Sequence, residues 1–126
     1  MPFIHIKSLP FKQDFDAALA TKTISQAFSE QMKIPAEHIS VTWEYYYPGH
    51  YAHNNEISDI QPVASHPLFI ELLAPDFHSE TTVGKMLKSI AANVSKSTGI
   101  SSNNIFIHYQ QAHSGMVFDD GAIIHW

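Results

Sequence analysis

The chain contains no cysteine and no arginine. The first absence excludes disulfides, thiolate metal sites and cysteine nucleophiles together. The second removes the planar bidentate fork that most often holds a carboxylate or a phosphate, and all seven basic residues are therefore lysines, at positions 7, 12, 22, 33, 85, 88 and 96. Charge is scarce in general: 15% of residues are charged against 44% hydrophobic, a balance that leaves surface for partner chains to cover. The formal net charge of −5 argues against nucleic acid and against an anionic membrane surface as partners. No apolar run approaches membrane-spanning length, and the amino terminus lacks the charged-then-apolar pattern of a secretory leader, so a cytoplasmic location is expected. The glycines form no phosphate cradle and no nucleophilic-serine motif is present. No cofactor is expected.

What is present is organised as a repeat. At 126 residues the chain predicts one domain, 1–126, with a sizeable core. Shifted by 66 positions without gaps, Phe3-Ile4 falls on Phe69-Ile70, Ile6 on Leu72, Phe11 on Phe77, Ile24 on Ile90, Ile34 on Ile100, Ile39 on Ile105, Val41 on Ile107 and Trp43 on Tyr109. Each copy reads as strand, helix, strand. Copy one, about 2–47, has a strand Pro2–Ser8, a helix capped by Asp14 and running to about Met32, and a strand Ile39–Tyr47. Copy two, about 67–112, has a strand Leu68–Ala74, a helix from Ser79 to Ser97 with Gly99 as its stop, and a strand Ile105–Gln111. Strands joined through a helix are parallel. The prediction is an α+β two-layer fold, with a four-stranded mixed sheet and both helices on one face. The other sheet face reads as apolar and in need of cover, which small two-layer domains commonly find by oligomerising.

Residues 48–66 read as a linker and residues 113–126 as a hairpin turning at Asp120-Gly121, its apolar arms suited to docking on a neighbouring subunit. His50, His53 and Glu56 in the linker invite a metal reading, but their spacing does not match the helical His-Glu-x-x-His site and no metal is expected.

The opening, Met1-Pro2-Phe3-Ile4-His5-Ile6-Lys7, sets a proline behind the initiator methionine and runs straight into a strand. Loss of Met1 would leave Pro2 as a secondary amine. An unperturbed α-amino group titrates near neutrality, at roughly 7.7–8.0, so a fixed one is a competent general base or nucleophile. The plainer reading is a proline tolerated at a strand start.

The doubled strand-helix-strand unit behind Met1-Pro2, with Pro35-Ala36-Glu37-His38-Ile39-Ser40-Val41 entering the second strand and Ile105-Phe106-Ile107-His108-Tyr109 before a glycine-containing tail, resembles the tautomerase superfamily. The likeness is to its fused-repeat members such as macrophage migration inhibitory factor, and closer still to a bacterial branch that ends in a similar Phe-Ile-x-x-Gln…Asp-Gly pattern, here Phe106-Ile107-His108-Tyr109-Gln110 and Asp120-Gly121. The resemblance implies a homotrimer with sheets inward and helices outward, and a pocket at each subunit boundary centred on Pro2. It implies an isomerase in which the Pro2 amine moves a proton on a small oxo or enol acid, with hydration or decarboxylation as related chemistry. The pocket tyrosine of such proteins falls on Phe106 and their asparagine on His108; their lysine falls on Ile34, beside Lys33. Lys7, Lys33, Phe106, His108 and Tyr109 are the expected substrate-binding residues. Glu37 and His38 occupy a place where some decarboxylating relatives keep an acid, and Tyr45, Tyr46, Tyr47 and Tyr51 offer a pocket wall. With no arginine to clamp a carboxylate, a trimeric binding or structural protein that keeps the fold without catalysis is the alternative.

Overall fold

The computed structural model describes residues 1–12 and 14–126. Strand β1 (Phe3–Ser8) alternates strictly: Ile4, Ile6 and Ser8 are buried under the helices, while Phe3, His5 and Lys7 face the other way. Helix α1 (Ala17–Met32) is capped by Asp16, whose carboxylate accepts the Leu19 N–H at 3.0 Å. The expected cap at Asp14 is displaced by two residues because Asp16 is the one held extended with its oxygen over the first turn. After a short 3-10 turn, β2 (Ser40–Tyr45) pairs parallel with β1. The second unit repeats the plan with β5 (Leu68–Pro75), α2 (Glu80–Thr98), a 3-10 turn and β6 (Ile105–Ala112), the last two strands again parallel. Ser79 caps α2 by accepting the Thr82 N–H at 3.1 Å.

The sheet order is β2-β1-β5-β6, with β1 and β5 antiparallel at the centre, so the two units meet through their first strands. Equivalent positions of the repeat do equivalent work. Ile4 and Ile70, Ile24 and Ile90, and Phe28 and Val94 are all buried in one core between sheet and helices. Both helices end on a left-handed residue at matching positions, Lys33 (φ 56°) and Gly99 (φ 76°). Glycine adopts that conformation freely, whereas Lys33 bears about 1 kcal/mol of strain there.

The face away from the helices carries three cross-strand rows: Glu44–Lys7–Phe69–Phe106, then Thr42–His5–Glu71–His108, then Ser40–Phe3–Leu73–Gln110. This corrects the reading of that face as apolar. Its outer rows carry Phe69, Phe106, Phe3 and Leu73, but the middle row is polar, with His108 Nδ1 3.0 Å from Glu71 Oε2 and His5 Nε2 3.2 Å from Glu44 Oε2.

The segment 48–66 contains a small hairpin, β3 (Ala52–His53) and β4 (Glu56–Ile57), turned by Asn54 and Asn55, both left-handed. Gln61 fastens this segment to the sheet: its amide oxygen accepts the Leu9 N–H at 3.1 Å and its amide nitrogen donates to the His66 carbonyl at 2.7 Å. The tail forms β7 (Val117–Asp119) and β8 (Ala122–Ile124), paired antiparallel across Asp120 and Gly121. Among the described residues no helix is long and apolar enough to cross a membrane.

Candidate active site

Pro2 is buried at the start of β1, where its carbonyl accepts the Ser40 N–H at 3.2 Å and extends the β1–β2 ladder by one bond. Its own nitrogen has no hydrogen to give the ladder, so the entry to a strand is a position it fills without loss. With Met1 attached that nitrogen is an amide and has no basicity; loss of Met1 turns it into a fixed secondary amine.

A cleft of about 230 Å³ opens beside Met1 and Pro2. The outer sheet row supplies Phe3, Ser40 and Leu73, the 3-10 turn before β2 supplies His38, and the C-terminal hairpin supplies Val117, Phe118 and Asp119. Two hollows adjoin it. One, of about 300 Å³, is lined by Glu37, His38, Asp119 and Asp120. The other, of about 360 Å³, lies where His38 and Asp119 approach Phe77 and Trp126. Among the described residues the acidic side chains around Pro2, Asp119 in the cleft and Glu37 and Asp120 in the hollow beside it, face one basic side chain, His38, whose Nε2 lies 3.9 Å from Glu37 Oε1.

The hairpin is held in place by Asp76, just past the end of β5. One carboxylate oxygen accepts the Trp126 indole N–H at 2.8 Å and the other lies 2.9 Å from His113 Nδ1. The indole hydrogen bond, followed by the one from His113, holds the Asp76 carboxyl below the usual carboxylate range. Trp126 in turn meets the Phe77 ring edge-on, 6.1 Å between centroids.

Within one subunit none of the five expected substrate-binding residues reaches Pro2. Lys7 lies at the opposite end of β1, its Nζ 3.8 Å from Glu44 Oε2. Phe106 shares that row, with its ring 5.5 Å from Phe69. His108 sits in the middle row on Glu71. Tyr109 points to the helical side and donates to the Pro75 carbonyl at 2.7 Å; burial raises its pKa, and the charge on Asp76 adds to that. Lys33 caps α1 and borders a groove between the helices with Lys85 and Lys88. The tyrosines expected as a wall stand at the Lys7 end as well. Tyr46 donates its N–H to the Ser8 carbonyl, and Tyr51 gives its hydroxyl to Pro67 O at 2.8 Å, with burial pushing its pKa up to about 12. In the linker, His53 is paired with Glu56 through the backbone of the β3–β4 hairpin, and the His66 ring donates to the Glu56 carbonyl at 2.8 Å. Among the described residues no three His, Asp or Glu side chains are placed to hold a metal ion.

Of the residues singled out for chemistry, His38 shares the cleft with Pro2 and Glu37 lines the hollow next to it. Leu73, Ser40 and the wall of Val117, Phe118 and Asp119 were not expected there. Leu73 faces Phe3 only because β1 and β5 pair antiparallel, which no local pattern specifies. The hairpin had a legible turn, Asp120-Gly121, but no signal for where it docks.

Neither a family sequence model nor a curated protein matches this sequence. Solved structures do resemble the fold. A structure of Pt0534 inactivated by 2-oxo-3-pentynoate is 13% identical, with a TM-score of 0.81 over 98% of this chain and 96% of that one. A fused 4-OT, solved as a symmetric trimer, is 10% identical, with a TM-score of 0.79 over 98% and 95%. A macrophage migration inhibitory factor homologue from Prochlorococcus marinus is 15% identical, with a TM-score of 0.73 over 98% and 99%. These are tautomerase superfamily proteins, and the chain has their tandem βαβ fold.

Proposed function

We propose that this chain, once Met1 is removed, is a trimeric tautomerase-like isomerase whose Pro2 amine is the general base. The observation that supports it is a buried, strand-anchored Pro2 opening on a cleft, within a fold that it shares with a protein inactivated by an oxo-alkynoate. In the reaction the neutral amine takes the hydroxyl proton of an enol as the carbon–oxygen bond becomes double. The resulting ammonium gives a proton to the carbon, so an O–H bond is lost, a C–H bond is formed and the amine is restored. The resemblance points to small oxo or enol acids as one substrate class.

Self-association is part of the proposal. The sheet face exposes Phe3, Phe69 and Phe106, and a fused 4-OT with this fold is a trimer. With sheets turned inward, Phe106, His108 and Lys7 stand on the face presented to a neighbour, where they can line its cleft. Lys33 and Tyr109, on the helical side, take no part.

The test is α-proton exchange in D₂O, followed by NMR on a 2-oxo acid and on an uncharged ketone, with protein whose mass confirms loss of Met1. Exchange should be accelerated for at least one of the two and fall by about 10²-fold or more in Pro2→Ala, the usual contribution of a positioned base. Exchange that survives in Pro2→Ala, with fold and assembly intact, refutes Pro2 as the base. Absence of exchange with both compounds favours the non-catalytic trimer, the reading that the lack of arginine supports.

A further inference from the structure

Accepting Pro2 as a catalytic amine, we propose that its cleft selects a carbonyl compound without a carboxylate, an aldehyde or ketone, over an oxo acid. Negative charge surrounds the cleft. Asp119 lines the cleft, and Glu37 and Asp120 border the hollow that opens from it. Apart from the Pro2 amine itself, His38 is the only group among the described residues lining these hollows that can become positive, and Glu37 lies beside it at 3.9 Å.

The lysines are elsewhere. Lys22, Lys85, Lys88 and Lys96 are on the two helices and Lys33 caps the first. Lys12 follows the far end of β1. Lys7 is the one lysine on the open sheet face, and Glu44 already holds it at 3.8 Å. An assembly with its helices outward keeps the helical lysines away from every cleft; the open sheet face of a neighbouring subunit then offers Lys7, which faces Glu44, and His108, which faces Glu71 at 3.0 Å.

A bound carboxylate would thus face carboxylates with neither an arginine fork nor a free ammonium to answer them, and like charges at this range repel. The remaining lining suits an uncharged ligand. Phe3, Leu73, Val117 and Phe118 give an apolar surface around the Pro2 nitrogen, with the Ser40 side of the cleft polar.

A matched pair of amine-directed probes tests this: 2-oxo-3-pentynoate, and 3-pentyn-2-one, in which a methyl replaces the carboxylate. With either, the Pro2 nitrogen adds to the alkyne carbon distal to the carbonyl. A C–N bond forms, one carbon–carbon π bond breaks, and the N–H proton ends on the neighbouring carbon, so nothing leaves. Labelling of the full chain lacking Met1 is followed by mass spectrometry. Each rate is divided by the rate on a free peptide, Pro-Phe-Ile-His-Ile, which removes intrinsic probe reactivity.

The normalised rate for the ketone should exceed that for the acid by about fivefold at low salt, from charges a few ångströms apart in a partly solvated site. The gap should narrow with added salt and in the triple variant Glu37→Gln, Asp119→Asn, Asp120→Asn. If that variant does not fold, the salt series on the native chain decides in its place. A normalised acid rate equal to or above the ketone's overturns the substrate class and leaves Pro2 as an active amine. A gap that neither salt nor the triple variant narrows overturns the electrostatic selection. Labelling by neither probe above the peptide rate overturns this proposal together with the role of Pro2.

Discussion

At the Tyr45 end of the sheet, buried polar groups are answered from within the chain. Ser8 donates to the Leu9 carbonyl and accepts from the Trp43 indole, Gln61 bridges Leu9 and His66, and Tyr51 closes on Pro67. At the Pro2 end the sheet stops against a cleft, and its cover is a hairpin tied down at one point, Asp76. The first arrangement makes a closed end, rigid because each unmade bond there would strand a buried donor or acceptor. The second leaves Pro2 reachable beneath a wall whose Phe118 and Met116 are largely exposed. One sheet thus has an end built for stability and an end available for chemistry, and the loop-borne side chains, more than the strands, make the difference.

Substitutions at the two ends should separate these roles. The largest effect belongs to Pro2→Ala, which should remove about 10²-fold or more of α-proton exchange and leave the unfolding midpoint close to that of the native chain, read by exchange kinetics and thermal melting side by side. Gln61→Ala should do the reverse. It leaves the Leu9 N–H and the His66 carbonyl without partners and should cost about 2–3 kcal/mol in a urea titration, while Pro2 labelling stays at the native rate. Equal damage to both readouts in either variant would break the contrast between the ends.

Asp76→Asn should act more locally, loosening the hairpin by weakening the carboxylate contacts to His113 and Trp126, seen as faster amide exchange at residues 117–124. The pH dependence follows from the depressed Asp76 pKa. Its contribution is fully present above the ordinary carboxylate value and is lost as pH falls through the lower, folded value. Trp126 fluorescence should therefore report hairpin release below about pH 4 in the native chain and a weaker transition in Asp76→Asn. The smallest effect is expected at Lys7→Met, where an exposed pair with Glu44 is removed: about 0.5 kcal/mol or less in the same titration.

Much of the fold was legible because its signals are local. The offset of 66 residues appears in the structure as paired core positions, Ile24 with Ile90 and Phe28 with Val94, and as two left-handed helix ends, Lys33 and Gly99. Ser79 was readable as a cap from its place before the second helix. Asp16 was not separable from Asp14, since both are N-cap residues two positions apart and only the backbone decides which carboxylate overlies the first turn. The alternation Phe3-Ile4-His5-Ile6-Lys7 told which residues share a face, but its polar middle row needed the register of four strands at once.

The two strand-helix-strand units, the apolar faces that pack them, and a supply of charge with lysine as its only strong cation are all written in the chain. Periodicity and composition suffice for these because each depends on a residue and its near neighbours. The surroundings of Pro2 came from packing between distant elements. The antiparallel pairing of β1 with β5 brought Leu73 opposite Phe3, and the return of the tail to Asp76 set Asp119 over the cleft. Bringing residues 2 and 119 to one cleft is a long-range matter, fixed by how whole elements pack, and no local pattern in the chain encodes it.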